Sequence, residues 1–254
     1  MVRVVACYKW VLDDVDIRVS ADGSVDMSRA KGKISDYEKG SIQAAVQLAG
    51  DCGGIPVGLT YGHDDAQASL KDALSRGLEE AYWAHGDTAD ADGRVTASVL
   101  AGAVRKIDDV ALIVCAEGSA DSFARQTGPR LAAELDYPCI SSVVEASVRG
   151  DVLSAKRRVD NTLETVDVQL PAVIAVRPEF AEAPIPGIKA VMAARKKPTT
   201  EFDVADLAAK APAVSVTART GAVVERKGIQ IQEDTPEATA HALVVALQKE
   251  GVLS

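Results

Sequence analysis

The stretch AEGSADSFARQTGPRLA, from Ala116 to Ala132, holds the residues best placed to do chemistry. Pro129 has no amide hydrogen, and its ring would collide with the carbonyl four residues back, so it belongs in the first turn of a helix. That puts the helix start near Gln126 and leaves the amides of Gln126, Thr127 and Gly128 without intrahelical acceptors. Free amides at the positive end of a helix dipole attract anions, phosphate among them. Thr127 adds a hydroxyl, Arg125 a positive charge, and Gly118-Ser119-Ala120 lets a ligand approach the backbone closely. The spacing is neither GxGxxG nor a P-loop, so neither a dinucleotide-binding Rossmann site nor a Walker ATPase is indicated. On the residues alone, an ordinary loop closed by a helix cap explains the stretch as well as a phosphate cradle does. Asp121 is open in the same way, between a ribose hydroxyl and a capping bond.

Other reactive types are scattered. Cys7, Cys52, Cys115 and Cys139 form no CxxC pair, and His63, His85 and His241 lie far apart, which argues against zinc or Fe–S ligation. The cysteines read as reduced, mostly buried small hydrophobes. Asp160 and Glu164 alternate along an expected hairpin with no second reactive group beside them, so a glycosidase-like carboxylate pair is rejected. Trp10 and Trp83 read as packing residues.

The elements that must position these residues follow from hydrophobic periodicity. Val2–Cys7, Ile55–Tyr61 and Val110–Ala116 are continuous apolar runs, the mark of strands buried on both faces; Glu79–Ala84 is another strand. Between them Glu38–Leu48, Gln67–Ser75 and Val95–Lys106 carry one apolar face each, as helices do. A further helix ends near Leu135. Strand–helix alternation of this kind means a mostly parallel sheet with flanking helices. In such sheets ligands bind outside the carboxyl ends of strands, here Cys7–Lys9, Tyr61–Gly62 and the Ala116 stretch. After Pro138 the pattern changes to Ile140–Val148, Val152–Val159, Thr162–Leu170 and Ala172–Val176, with Gly150–Asp151 as a hairpin turn. Antiparallel edge strands would fit there. Residues 182–198, rich in Pro, Ala and Lys, read as an exposed loop or irregular arm. The tail from Ala211 reads as extended up to Pro236. A last helix, Glu237–Lys249, has an apolar face that needs a partner.

The chain has 254 residues, 47% hydrophobic and 26% charged, enough for a packed core. Its net charge of −9 argues against nucleic acid as a partner. No stretch approaches the roughly 20 apolar residues needed for direct membrane insertion. The N-terminal apolar run is too short for a signal sequence, so a cytoplasmic protein is expected.

Several segments, in order, resemble the beta subunits of electron transfer flavoproteins. AEGSADSFARQTGP resembles their adenine-nucleotide loop, closest to the bacterial FixA-like branch. ISDYEKGSIQAAVQLA resembles the start of their first long helix, and ASLKDALSRGLEEAYW their next helix–strand unit. AKRRVDNTLETVDVQLPAVIAV resembles their signature, and APIPGIKAVMAARKKP their partner-recognition loop. Two departures stand out: Asn161 and Thr162 replace an acidic residue or glycine, and Ser35-Asp36-Tyr37-Glu38 replaces the frequent Asn-Pro-Phe/Tyr-Asp.

The resemblance implies an α/β fold of the adenine nucleotide alpha hydrolase-like type, with an extended C-terminal arm. It implies a nucleotide-binding domain over residues 1–183, a partner-recognition loop over 184–200, and an arm and helix over 201–254 that pack on an alpha subunit. FAD would be shared with that alpha subunit, while the beta chain would hold AMP or a second FAD. The contacts carried over by position are Cys7, Ser35, Asp36, Tyr37, Glu38 and Tyr61, together with Ala116, Glu117, Gly118, Ser119, Ala120, Asp121, Ser122, Phe123, Ala124, Arg125, Gln126 and Thr127. Tyr37 could also face the alpha subunit's flavin. Ile188 and Met192 would dock an acyl-CoA dehydrogenase-like flavoenzyme, flanked by Lys189, Arg195, Lys196 and Lys197. No autonomous catalysis is expected. The rival reading is a universal-stress-like regulatory module that binds nucleotide without flavin; the long arm and Lys-rich loop have no job in it.

Overall fold

The computed structural model describes residues 1–223 and 227–253. Nine strands form one sheet. In chain order they are β1 (Arg3–Cys7), β2 (Ile55–Gly62), β3 (Glu80–His85), β4 (Val110–Ala116), β5 (Cys139–Arg149), β6 (Val152–Val159), β7 (Thr162–Gln169), β8 (Ala172–Val176) and β9 (Thr199–Asp203). Across the sheet the order is β7-β6-β5-β8-β4-β1-β2-β3-β9. From β5 to β9 every neighbouring pair is parallel; β6 runs antiparallel to both β5 and β7. The helices are α1 (Asp36–Asp51), α2 (Gln67–Ser75), α3 (Gly93–Val104), α4 (Thr127–Leu135), α5 (Ile188–Ala194) and α6 (Pro236–Lys249).

The apolar runs are strands because both of their faces are covered. Val4 and Ala6 point to one side with Ile42 and Leu48 of α1 and Leu70 and Leu74 of α2. Val5 and Cys7 point to the other, among Val99 and Leu100 of α3 and Leu131 of α4. In β4, Leu112 and Val114 join the first core and Ile113 and Cys115 the second. The chain steps from β1 through β2 to β3 with α1 and α2 on one face. It then crosses back along the other face through α3 and enters β4 on the far side of β1. Strand order therefore reverses between β1 and β4, and their carboxyl ends open a crevice of the kind that takes ligands.

Two segments differ from expectation. Residues 182–198 are not wholly irregular: α5 forms there and packs beside α2, anchored by the buried Ala194. Next comes β9, which adds a parallel edge to β3 although Thr199–Asp203 shows almost no apolar pattern. After β9, Leu207 buries itself and its carbonyl lies against Gly102 of α3. A Cβ at Gly102 would sit 2.3 Å from that oxygen. Gly102→Ala should thus cost about 1–3 kcal/mol through overpacking, seen as a lower midpoint in denaturant; an unchanged midpoint would mean that this close approach is not maintained.

The chain divides into two compact units, the first comprising Met1–Arg18 and Asp26–Arg219, the second Val19–Val25 and Thr220–Ser254. In the second, α6 begins with Thr235, whose hydroxyl accepts from the Ala238 amide, and Pro236 at its first position. Leu243, Val244 and Val245 are exposed along it. Lys227 pairs with Glu250. Among the described residues no helix is long and apolar enough to cross a membrane.

Candidate nucleotide site at the sheet's carboxyl edge

The crevice between β1 and β4 is roofed by the loop 117–126, and the sequence explains how that loop is held. Ser35 is the residue before α1, but its hydroxyl does not cap the helix. Instead Oγ, fully buried, accepts from the Ala120 amide at 3.0 Å. The Glu38 carboxyl lies near this hydroxyl and the Lys9 amide. Glu38 Oε2 is enclosed and has no partner among the described residues. Burial pushes the Glu38 carboxyl up to about 8, against weaker opposing pulls from Ser35 and Lys9. At neutral pH it is mostly protonated and can donate a hydrogen bond.

Lys9, at the end of β1, reaches across to Asp121 with Nζ 2.5 Å from Oδ2. The other carboxylate oxygen accepts from Ser119 Oγ at 2.5 Å and from the Ser122 amide at 2.8 Å. Burial alone would raise the Asp121 carboxyl, but Lys9, Ser119 and the Ser122 amide hold it below its ordinary value. Asp121 thus orders the loop, and the capping alternative describes its contacts better than a free ribose ligand does. Phe123 and Arg125 adopt φ values of 44° and 56°. Non-glycine residues rarely enter that region, and such strain gathers at ligand sites. The turn brings the Phe123 ring beside Tyr37 in a tilted pair, centroids 5.1 Å apart, and sets the Arg125 guanidinium 4.9 Å from the Phe123 centroid. Gly118 is required beneath it, since a Cβ there would lie 2.6 Å from the Phe123 ring.

Helix α4 begins at Thr127 with Gln126 as its cap residue, where Pro129 predicts it. Gln126 makes no side-chain cap; its Oε1 accepts from Arg130 Nε at 2.9 Å. No acidic residue occupies the first turn. The amides of Thr127 and Gly128 have no intrahelical acceptor, and Gly128 packs tightly against Ala175 and Cys115.

The structure therefore brings Ser35, Tyr37, Glu38 and residues 116–127 together. It does not bring all the predicted contacts there. Tyr61, next to the end of β2, donates its hydroxyl to the Asp87 carbonyl at 2.5 Å, and no hydrogen bond joins it to the loop among the described residues. Asp36 faces outward and pairs with Lys33 and Lys39. The Cys7 side chain is buried among α3 and α4 residues, beside the Cys115 thiol, so only its backbone could meet a ligand. Ile188 and Met192 lie one turn apart on α5, 84% and 53% exposed. Lys197 is withdrawn from that surface, its ammonium donating to the Leu78 carbonyl at 2.6 Å and pairing with Glu79. Lys9, named with its strand end in the sequence reading but not among the contacts carried over from the resemblance, holds the loop here. A groove lined by Arg157, Arg158 and Arg177 opens beside the loop and was missed. Among the described residues no group of three His, Cys, Asp or Glu could hold a metal ion.

The Ser35 hinge yields a prediction. Ser35→Ala should cost about 1–2 kcal/mol by leaving the Ala120 amide without its buried partner. Hydrogen exchange at the Ala120 amide should speed up at the same time; undiminished protection there would show that the loop is held some other way.

A family model described as the electron transfer flavoprotein domain matches residues 22–207, most of the 254-residue chain. That span contains α1, the crevice loop, the β6–β7 hairpin, α5 and β9. The chain belongs to the electron transfer flavoprotein family.

Proposed function

We propose that the chain is the beta subunit of a heterodimeric electron transfer flavoprotein. It binds an adenine nucleotide, AMP or a second FAD, in the β1–β4 crevice. It also supports FAD-mediated electron transfer between an acyl-CoA dehydrogenase-like flavoenzyme and an acceptor. One observation carries the reading: a strained loop, pinned through Ser35 and Lys9, stands at the reversal of strand order beside the acid-free first turn of α4.

The residues present fit such a ligand. The α4 amides offer donors to a phosphate, and the unpartnered Glu38 Oε2 is a buried polar atom in the same crevice. Flavin, when bound, supplies the redox chemistry. The chain's own residues orient it: Tyr37 and Phe123 present aromatic faces at the crevice rim, and Arg125 supplies positive charge there. Ile188 and Met192 on α5 give the dehydrogenase an apolar foothold, with Lys189 between them in sequence. The exposed Leu243, Val244 and Val245 of α6 suit an alpha subunit. No bond-making catalysis is assigned to the chain, and a cytoplasmic location belongs to the same reading.

Co-expression with its alpha subunit tests this. The complex should be yellow and release an adenine nucleotide on denaturation, identified by mass spectrometry. A complex that stays colourless after FAD is added, and releases no nucleotide, would refute it.

A further inference from the structure

His85 ends β3 with both of its ring nitrogens engaged. Nδ1 lies 2.8 Å from Oε1 of Glu201 on β9, and Nε2 lies 2.7 Å from Oδ1 of Asp64. Asp64 opens the short turn Asp64–Ala66 that leads into α2. A neutral imidazole has one N–H to give, so donating to two carboxylates takes the imidazolium. The surroundings suit that charge. The ring lies 4.3 Å from the Trp83 ring, centroid to centroid, in a tilted pair, and an aromatic face attracts a cation. Trp83 is itself fixed: it is buried and donates from Nε1 to the Gly62 carbonyl at 3.0 Å.

The other titratable groups nearby do not replace His85. His63 stands 6.4 Å away, edge-on, with Nδ1 3.9 Å from the second Asp64 oxygen. Asp203, in register with His85, accepts from the Ala205 amide instead. Among the described residues neither Asp64 nor Glu201 pairs with a lysine or arginine.

The two carboxylates sit on the two elements that mount α5. That helix packs beside α2 and runs through residues 195–198 into β9. Lys197 holds the start of β9 at Leu78 and Glu79, and His85 holds its middle at Glu201. The strand is mostly exposed and paired on one side only. Such edges, with few buried contacts, open more readily than the core.

We propose that His85 is a proton-operated clasp: protonated, it ties β9 to the head of α2 and fixes the α5 surface; deprotonated, it lets go of one carboxylate, and β9 and α5 loosen. Glu201 first, then Asp64, hold the imidazole above its ordinary value of 6.5 against a burial effect that would lower it. The link is therefore complete below that value and is lost as pH rises through the higher folded one. If α5 docks a flavoenzyme, as the proposed function has it, docking weakens on the alkaline side. The clasp itself does not depend on that reading.

Hydrogen exchange of the full chain, with neither nucleotide nor partner added, tests it. Protection factors are compared near pH 6 and near pH 9, on either side of the histidine range, in the parent and in His85→Gln. In the parent, the β9 and α5 amides should lose protection about fivefold between the two, a modest factor because Asp64 is 73% exposed and solvent screens the pairs. His85→Gln keeps a donor without the charge, so its β9 and α5 amides should show the parent's high-pH protection at both pH values. Glu38 titrates in both proteins and cancels. An imidazole NMR titration of the parent should place His85 above 6.5. The same pH response in both proteins, a parent response that spares β9 and α5, or a His85 midpoint at or below 6.5 would overturn the clasp.

Discussion

Thr127→Asp should make the nucleotide-free protein slightly more stable and nearly unable to bind AMP. The opposite signs come from one cause. Thr127 is the first residue of α4, whose opening turn holds no acid. A carboxylate there complements the helix dipole and should add about 0.3–1 kcal/mol. It also places a negative charge where the account puts a phosphate. Two like charges about 4 Å apart near a protein surface repel by roughly 4 kcal/mol at an effective dielectric near 20, so an affinity loss of at least ~100-fold is expected. Thr127→Asn carries no charge and should retain most of the binding. Thermal melts and AMP calorimetry read the two effects separately. Undiminished AMP affinity in the Asp variant would remove α4 from the site.

The second large effect is a pH dependence centred on Glu38. Its carboxyl titrates at about 8 in the folded protein against 4.5 ordinarily, because burial disfavours the charged form. Between those values the folded state binds more protons than the unfolded one, so stability falls as pH rises from 4.5 towards 8 and levels off above. The whole window amounts to something on the order of 5 kcal/mol. Glu38→Gln keeps the shape and an acceptor oxygen but does not ionise. The variant should match the parent near pH 4.5 and be clearly more stable near pH 8. Denaturant midpoints measured across that range decide it, and parallel profiles for the two proteins would mean that the carboxyl is not desolvated. His85, clamped between Asp64 and Glu201, also titrates above its ordinary value. It is common to both proteins and cancels in the difference.

How much of this was legible depended on whether burial wrote itself into the pattern. Val110–Ala116 and Ala172–Val176 are strands with the bounds their apolar runs suggest, because the sheet covers them, and Val152–Val159 is the strand expected after the Gly150–Asp151 turn. Helix α4 was fixed by one covalent fact, the missing amide of Pro129. Strand β9 was hidden because Thr199–Asp203 is a mostly exposed edge, paired through its backbone and so nearly free of side-chain signal. Helix α5 spans only seven residues, too short for periodicity to speak, and owes its stability to packing beside α2. Within the site, the α4 turn and its loop were readable from Pro and Gly. The Ser35–Ala120 and Lys9–Asp121 links join residues more than 80 positions apart, and no local pattern announces them. The arginine-lined groove was invisible for a related reason: Ser142 in its wall sits at positive φ, where glycine would have been the visible clue.

The central claim is that the opening amides of α4 meet a phosphate. Backbone amide NMR of the full chain during AMP titration tests it most directly. The Thr127 and Gly128 resonances should move downfield and saturate together with the binding curve, and their hydrogen exchange should slow. Saturating AMP that leaves both amides unshifted, while perturbing residues elsewhere, would contradict the account.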